Sequence, residues 1–281
     1  MGTAVTIGKF DGFHLGHKLL LEKIRDYSLK HSVKSVCYKL DFGGASVLDS
    51  AEQEKAVSEY GIDDFLRIPF TPEFASSSPE DFVKNILVGE LNAEYVVVGT
   101  DFCFGRNREG NADILRDLGT VYGFKVEAVD KLRLDGEVIS STGIRALLEK
   151  GDIEEAVRRL GRSYGFSGKV GSGKKLGRNL GFPTVNIIPE EGKLLPKYGV
   201  YASETYVEGK SYGSITNIGI RPSVDDGDAA NVETFIYNFS DDIYGEDIRV
   251  ELLKFIRPEK KFESLDALKE QISADIDAAR S

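Results

Sequence analysis

The spacing of apolar positions divides this chain into two parts. Up to residue 160, short apolar runs alternate with helical stripes. The runs predict strands at residues 4–7, 35–40, 65–69, 95–98 and 125–129, and the stripes predict helices at 18–29, 52–60, 80–87 and 112–122. Leu20, Ile24 and Tyr27 recur at i, i+4 and i+7. Ser78-Pro79-Glu80-Asp81 combines a cap, a first-turn proline and first-turn acids, which marks a helix start. Residues 95–98 are apolar without alternation, as expected of a strand covered on both faces. Alternating strands and helices predict an open α/β sheet with its ligands at the carboxyl ends of the strands.

After Gly161 the helical period disappears. Residues 200–207 and 212–218, split by Glu208-Gly209-Lys210-Ser211, read as a hairpin, and 232–239 and 248–256 as further strands of a small barrel or sandwich. Residues 264–280 form a terminal helix with Leu265, Leu268, Ile272 and Ile276 on its apolar side. The expected organisation is two domains, 1–161 and 162–281, each long enough to bury its own core.

Composition narrows the partners. A net charge of −10 works against nucleic acid or an anionic membrane surface and leaves small molecules as ligands. Cys37 and Cys103 are the only cysteines, which is too few for a disulfide framework, and they match no metal-ligand spacing. With no apolar run near the ~20 residues of a membrane span and no signal-peptide pattern, the expected location is the cytoplasm.

The first candidate site follows the first strand, in Gly8-Lys9-Phe10-Asp11-Gly12-Phe13-His14-Leu15-Gly16-His17. Strand, glycine-containing turn and helix start form a setting in which backbone N–H groups receive phosphate. His14 and His17, three apart, can both reach one anionic group, although two histidines at a tight turn can also simply cap a helix. Gly99-Thr100-Asp101-Phe102-Cys103-Phe104-Gly105 follows the apolar strand at 95–98. Ser140-Ser141-Thr142-Gly143-Ile144-Arg145 opens a helix in which Arg145 can fork onto a phosphate.

The second candidate site lies in the second half. Gly168-Lys169-Val170-Gly171-Ser172-Gly173-Lys174-Lys175 comes close to a P-loop but has Lys175 where a metal-binding hydroxyl is required. Thr184 and Asn186, two apart on a predicted strand, share a face and carry hard neutral oxygens suited to Mg²⁺. Glu233 shares a face with Phe235 and Tyr237 and is either structurally paired or a base.

Together these segments resemble a known family. F-D-G-x-H-x-G-H, G-x-D-F-x-F-G and I-S-S-T-x-I-R are similar to the adenylyltransferase domain of prokaryotic bifunctional riboflavin kinase/FAD synthetases. G-x-L-G-R-x-L-G-F-P-T-x-N, G-V-Y, N-I-G-x-R-P, V-E and D-I-Y-G resemble its riboflavin kinase domain. The resemblance implies an α/β, Rossmann-like nucleotidyltransferase domain with a parallel sheet, then a six-stranded β-barrel with a terminal helix. It implies MgATP-dependent conversion of riboflavin to FMN and of FMN to FAD. His14 and His17 would stabilise the triphosphate. Gly8, Phe10, Asp11, Gly12, Gly16, Asp101, Ser141, Thr142 and Arg145 would form the first nucleotide site. Gly171, Gly173, Gly177 and Gly181 would wrap the phosphates of the second. Phe102 and Arg221 would contact flavin, Thr184 and Asn186 would hold Mg²⁺, and Glu233 would be the catalytic base.

The chain departs from the family twice. Where the family has a T-F-D-P-H-P-like segment, this chain has Lys39-Leu40-Asp41-Phe42-Gly43-Gly44 and keeps only Asp41; Gly143 stands where arginine is frequent. Glycines raise the entropy cost of ordering a loop, so the expected FAD synthetase is active but weak. A riboflavin kinase with a degenerate first domain, or a flavin- or nucleotide-binding regulator without turnover, are the other readings. Glu233 argues against the regulator, which needs no base.

Overall fold

The structure is a computed structural model that describes residues 2–171, 182–222 and 228–280. Its first compact unit, Met1–Ser141, is built on the parallel strands β1 (Thr3–Gly8), β2 (Lys34–Asp41), β3 (Asp64–Pro69), β4 (Ala93–Gly99) and β7 (Lys125–Val129). Helices α1 (Leu15–His31), α2 (Ser50–Glu59), α3 (Pro72–Ser76), α4 (Pro79–Phe82, continuing as a π-helical stretch Val83–Glu90) and α5 (Ala112–Tyr122) connect them. Two short hairpins, β5 (Cys103–Phe104) with β6 (Gly110–Asn111) and β8 (Arg133–Leu134) with β9 (Glu137–Val138), complete the unit.

Both faces of the sheet are covered. On β4, Val96 and Val98 join a core with Phe82, Leu87 and Leu115, while Val97 joins one with Leu21, Ile24 and Val57. This is why the run at 95–98 shows no alternation. The strand order β3-β2-β1-β4-β7 reverses direction between β1 and β4. In such a sheet the crevice at the carboxyl ends of those two strands receives the ligand, and the turns following Gly8 and Gly99 lie there.

The second compact unit is Thr142–Ser281. It contains most of α6 (Ser141–Lys150), then α7 (Ile153–Leu160) and six antiparallel strands. These are β10 (Tyr164–Gly171), β11 (Thr184–Ile187), β12 (Gly199–Val207), β13 (Lys210–Pro222), β14 (Asp228–Ile236) and β15 (Asp247–Pro258), followed by α8 (Leu265–Arg280). They close into a barrel in the order β10-β11-β14-β13-β12-β15. The division at Ser141 precedes the boundary expected at Gly161, because α7 packs on β10 and β15 and buries Ile153, Ala156 and Leu160. The Lys197 N–H also donates to the Leu148 carbonyl, tying the end of α6 to this unit.

The terminal helix departs from its expected apolar side. Ile272 and Ile276 pack with Val200, Ile215 and Phe235, whereas Leu265 is exposed and Leu268 only half-buried. The helix therefore meets the barrel through its second half. There the buried Asp275 accepts from Arg257 Nε at 2.8 Å and Nη2 at 2.7 Å, a forked ion pair that compensates the burial of the carboxylate.

Candidate active sites

In the first unit, the turn between β1 and α1 is held in a strained form. Phe10 and Phe13 take positive φ values of 43° and 44°, unusual for bulky residues, and Gly12 lies between them at 82°. Burial keeps them there, with both phenylalanines fully inaccessible and their rings stacked 5.6 Å apart. The strain sets the start of α1. His14 becomes its N-cap, its Nδ1 accepting from the His17 N–H at 3.3 Å, and the two imidazoles stack with centroids 3.7 Å apart. A Cβ at Gly16 would lie 3.2 Å from the His14 ring, so glycine leaves that ring its place.

Burial pulls the His14 imidazole down to about 4, and burial together with the adjacent His14 holds His17 well below the usual histidine range. Both rings are neutral at pH 7. Because His14 Nδ1 is an acceptor, its proton resides on Nε2, a neutral donor. His17 Nδ1 is buried with no hydrogen-bond partner among the described residues, beside Phe10 at 5.0 Å between ring centroids. An unmet buried polar atom costs about 1–3 kcal/mol, so an apolar ring would suit folding better. In an imidazole NMR titration of the ligand-free protein, His14 and His17 are expected to stay neutral from pH 8 down to 5.5. A midpoint near 6.5 for either would overturn the neutral-pair assignment.

Asp11 and Ser141, expected on phosphate, brace the turn. Asp11 Oδ1 accepts from Ser46 Oγ at 3.0 Å and from the Val47 N–H at 2.7 Å, and its carbonyl accepts from Ser141 Oγ at 3.0 Å. Asp101 pairs with Lys131 at 2.8 Å. Gly8 ends β1 against Phe10, whose ring would lie 3.4 Å from an added Cβ. Thr142 is exposed and Arg145 half-buried on α6, both within the second compact unit.

Phe102 belongs to a longer series of rings. It stacks on Phe104 at 5.5 Å, and contacts continue through Phe82, Phe74 and Phe70 to Phe42, with Lys9 Nζ 4.3 Å above the Phe42 ring. Of these rings, the sequence places Phe102 against flavin, Phe104 in the same motif and Phe42 in the segment that departs from the family. Phe70, Phe74 and Phe82 belong to none of these motifs.

In the second unit, β11 and β14 are antiparallel, with Asn186 opposite Glu233 and Thr184 opposite Phe235. Thr184 Oγ1 donates to Glu233 Oε1 at 2.6 Å, so residues 49 apart in sequence meet. Asn217 of β13 lies opposite Glu233 on its other side, a neighbour that sequence spacing did not reveal. Thr184 also lines a cleft of about 290 Å³ with Val170, Pro183, Ile236, Phe239 and Tyr244. The Thr184 hydroxyl and Asn186 amide oxygens, on one strand face, are of the kind a hard cation shared with phosphates takes, with the Glu233 carboxylate beside them. Gly171 ends β10 opposite Asn186. Gly173, Gly177, Gly181 and the Arg221 side chain lie outside the described residues.

Comparison with known proteins fits both halves. The FAD synthetase profile matches residues 1–143 and the riboflavin kinase profile residues 160–281. A protein of Pseudomonas fluorescens named bifunctional riboflavin kinase/FMN adenylyltransferase is 35% identical over 289 residues, covering 100% of this chain and 93% of its own length. The chain belongs to the bifunctional riboflavin kinase/FMN adenylyltransferase family. An Escherichia coli K12 member is 35% identical, covering 99% of this chain and 92% of its own length. For the Buchnera aphidicola member from Schizaphis graminum the identity is 38%, with 99% and 93% covered. A crystal structure of a Streptococcus pneumoniae protein described as a macrolide-efflux protein superimposes with a TM-score of 0.89 at 28% identity, covering 100% of this chain and 94% of that one. Among the described residues, no helix is long and apolar enough to cross a membrane. Matches to both domains favour the bifunctional reading over a kinase with a degenerate first domain.

Proposed function

We propose that this protein, working in the cytoplasm on small molecules, phosphorylates riboflavin to FMN at the barrel and joins FMN to AMP at the parallel sheet, using MgATP at two separate sites. The observation that carries the kinase assignment is the 2.6 Å contact between Thr184 and Glu233. Riboflavin's 5′-hydroxyl must lose its proton to attack the γ-phosphorus of ATP, and Glu233 takes it as the O–P bond forms and ADP leaves. Thr184 orients the carboxylate through its donated hydrogen bond, while the lone pairs of its oxygen stay available. Those lone pairs and the Asn186 amide oxygen would hold Mg²⁺, which neutralises phosphate charge when bound.

Adenylyl transfer needs no base, because the attacking FMN phosphate is already an anion. An FMN phosphate oxygen bonds to the α-phosphorus of ATP and pyrophosphate leaves. The neutral His14 and His17 donors favour the charge that develops on the phosphoryl oxygens. Incubation with riboflavin and MgATP, followed by separation of the flavins, tests the whole proposal: FMN should appear first and FAD after it, and absence of either product removes the corresponding activity. Thr184→Val should raise the Mg²⁺ concentration at half-maximal kinase rate, leaving FAD formation from supplied FMN unaffected. An unchanged Mg²⁺ midpoint would reduce Thr184 to a structural residue.

A further inference from the structure

Beneath the strained turn lies a buried cation that the chemistry above does not use. Lys39 sits near the carboxyl end of β2, in register with Gly8 of β1 and Arg67 of β3, and is only 7% exposed. A buried ammonium persists only where it is bonded and its charge is balanced. Lys39 Nζ donates to Gln53 Oε1 at 2.6 Å, and Gln53 Nε2 donates to Ser46 Oγ at 3.1 Å and to the Leu48 carbonyl at 2.7 Å. Ser46 Oγ donates in turn to Asp11 Oδ1. Every donor along this path points the same way, from the ammonium to the carboxylate. Asp11 and Asp41 are the acids whose charge acts on Lys39, opposed by Arg67.

The path also pins the segment in which the chain departs from its family. Gly43 and Gly44 take φ values of 71° and 81°, a form with little intrinsic stiffness. At one end of the segment Phe42 stacks on Phe70 at 4.2 Å under Lys9 Nζ, and Asp41 Oδ1 accepts from the Gly43 N–H at 2.9 Å. At the other end Ser46 and Val47 are fastened to Asp11.

We propose that Lys39 is a positioning residue for adenylyl transfer: acting through Gln53 and Ser46, it fixes Asp11, and with it the turn that presents His14 and His17, where the family uses a proline-stiffened segment. This rests on the adenylyltransferase reading of the first unit. The test compares Lys39→Met, Ser46→Ala and the double variant in the full chain, following FAD formation from FMN and FMN formation from riboflavin in the same preparations.

Lys39→Met should lower kcat for FAD formation roughly tenfold, as expected for misplaced catalytic groups. Ser46→Ala should lower it severalfold, and the double variant should be no slower than Lys39→Met, because both cut one path. Riboflavin phosphorylation should stay within about twofold of wild type in all three. Losses that multiply in the double variant, or single variants with unchanged FAD formation, overturn the proposal. If Lys39→Met does not fold, Ser46→Ala decides: unchanged FAD formation with that variant overturns it. A wild-type protein that makes no FAD refutes the reading of the first unit instead.

Discussion

Glu233→Gln is expected to lower riboflavin phosphorylation by on the order of 10²-fold or more, the effect of losing a general base. Conversion of supplied FMN to FAD should remain within about twofold of wild type. Glutamine keeps the shape of the side chain, and its amide oxygen can still accept from Thr184, whose hydroxyl lies 2.6 Å from the carboxylate. What it cannot do is take the proton from the 5′-hydroxyl of riboflavin. The loss should therefore fall on kcat more than on the KM for riboflavin. Single-turnover and steady-state rates with riboflavin and MgATP measure it, with FAD formation by the same preparation as the folding control. Kinase turnover within about twofold of wild type would remove the base from Glu233.

Local patterning carried much of the fold. Every strand predicted in the first unit is present, because a buried parallel strand imprints its own run of apolar residues on the sequence. Closure of the barrel was not legible in the same way. It depends on β10 pairing with β15, Tyr164 opposite Leu252, and no local feature announces a partner so distant in sequence. Helix α7 was missed although its signals are local: Asp152 caps it, Glu154 and Glu155 open it, Ile153, Ala156 and Leu160 form its buried stripe, and Gly161 ends it. The site divides likewise. His14 and His17 stand out because they lie three apart after a strand, whereas Lys39 reads as one polar position in an apolar run. The opposition of Asn186 and Glu233 is a matter of strand register, and sequence supplied it only through family resemblance.

His17→Ala is expected to lower kcat for FAD formation by on the order of 10²-fold, the cost of removing one preorganised donor from developing charge. The KM values for ATP and FMN should move far less, since the donor acts chiefly in the transition state. The neutral state of the pair matters here. In the ligand-free protein burial holds His14 at about 4 and His17 well below its usual range, so both rings enter the reaction as neutral donors. The departures at Gly43, Gly44 and Gly143 act on the other side of this division. In the proposed reading these positions border the substrates, where a looser or less charged surrounding should appear as raised KM for ATP or FMN in the wild type. The stack of Phe42 on Phe70 limits that loss by holding one end of the segment, while the path from Lys39 to Asp11 acts on the turn and so on kcat. A rate profile over FMN and ATP for wild type and His17→Ala separates the two effects. His17→Asn, which keeps a donor, should recover part of the lost kcat, and riboflavin phosphorylation by all three proteins should agree within about twofold. FAD formation indifferent to His17→Ala would take the histidine pair out of the mechanism.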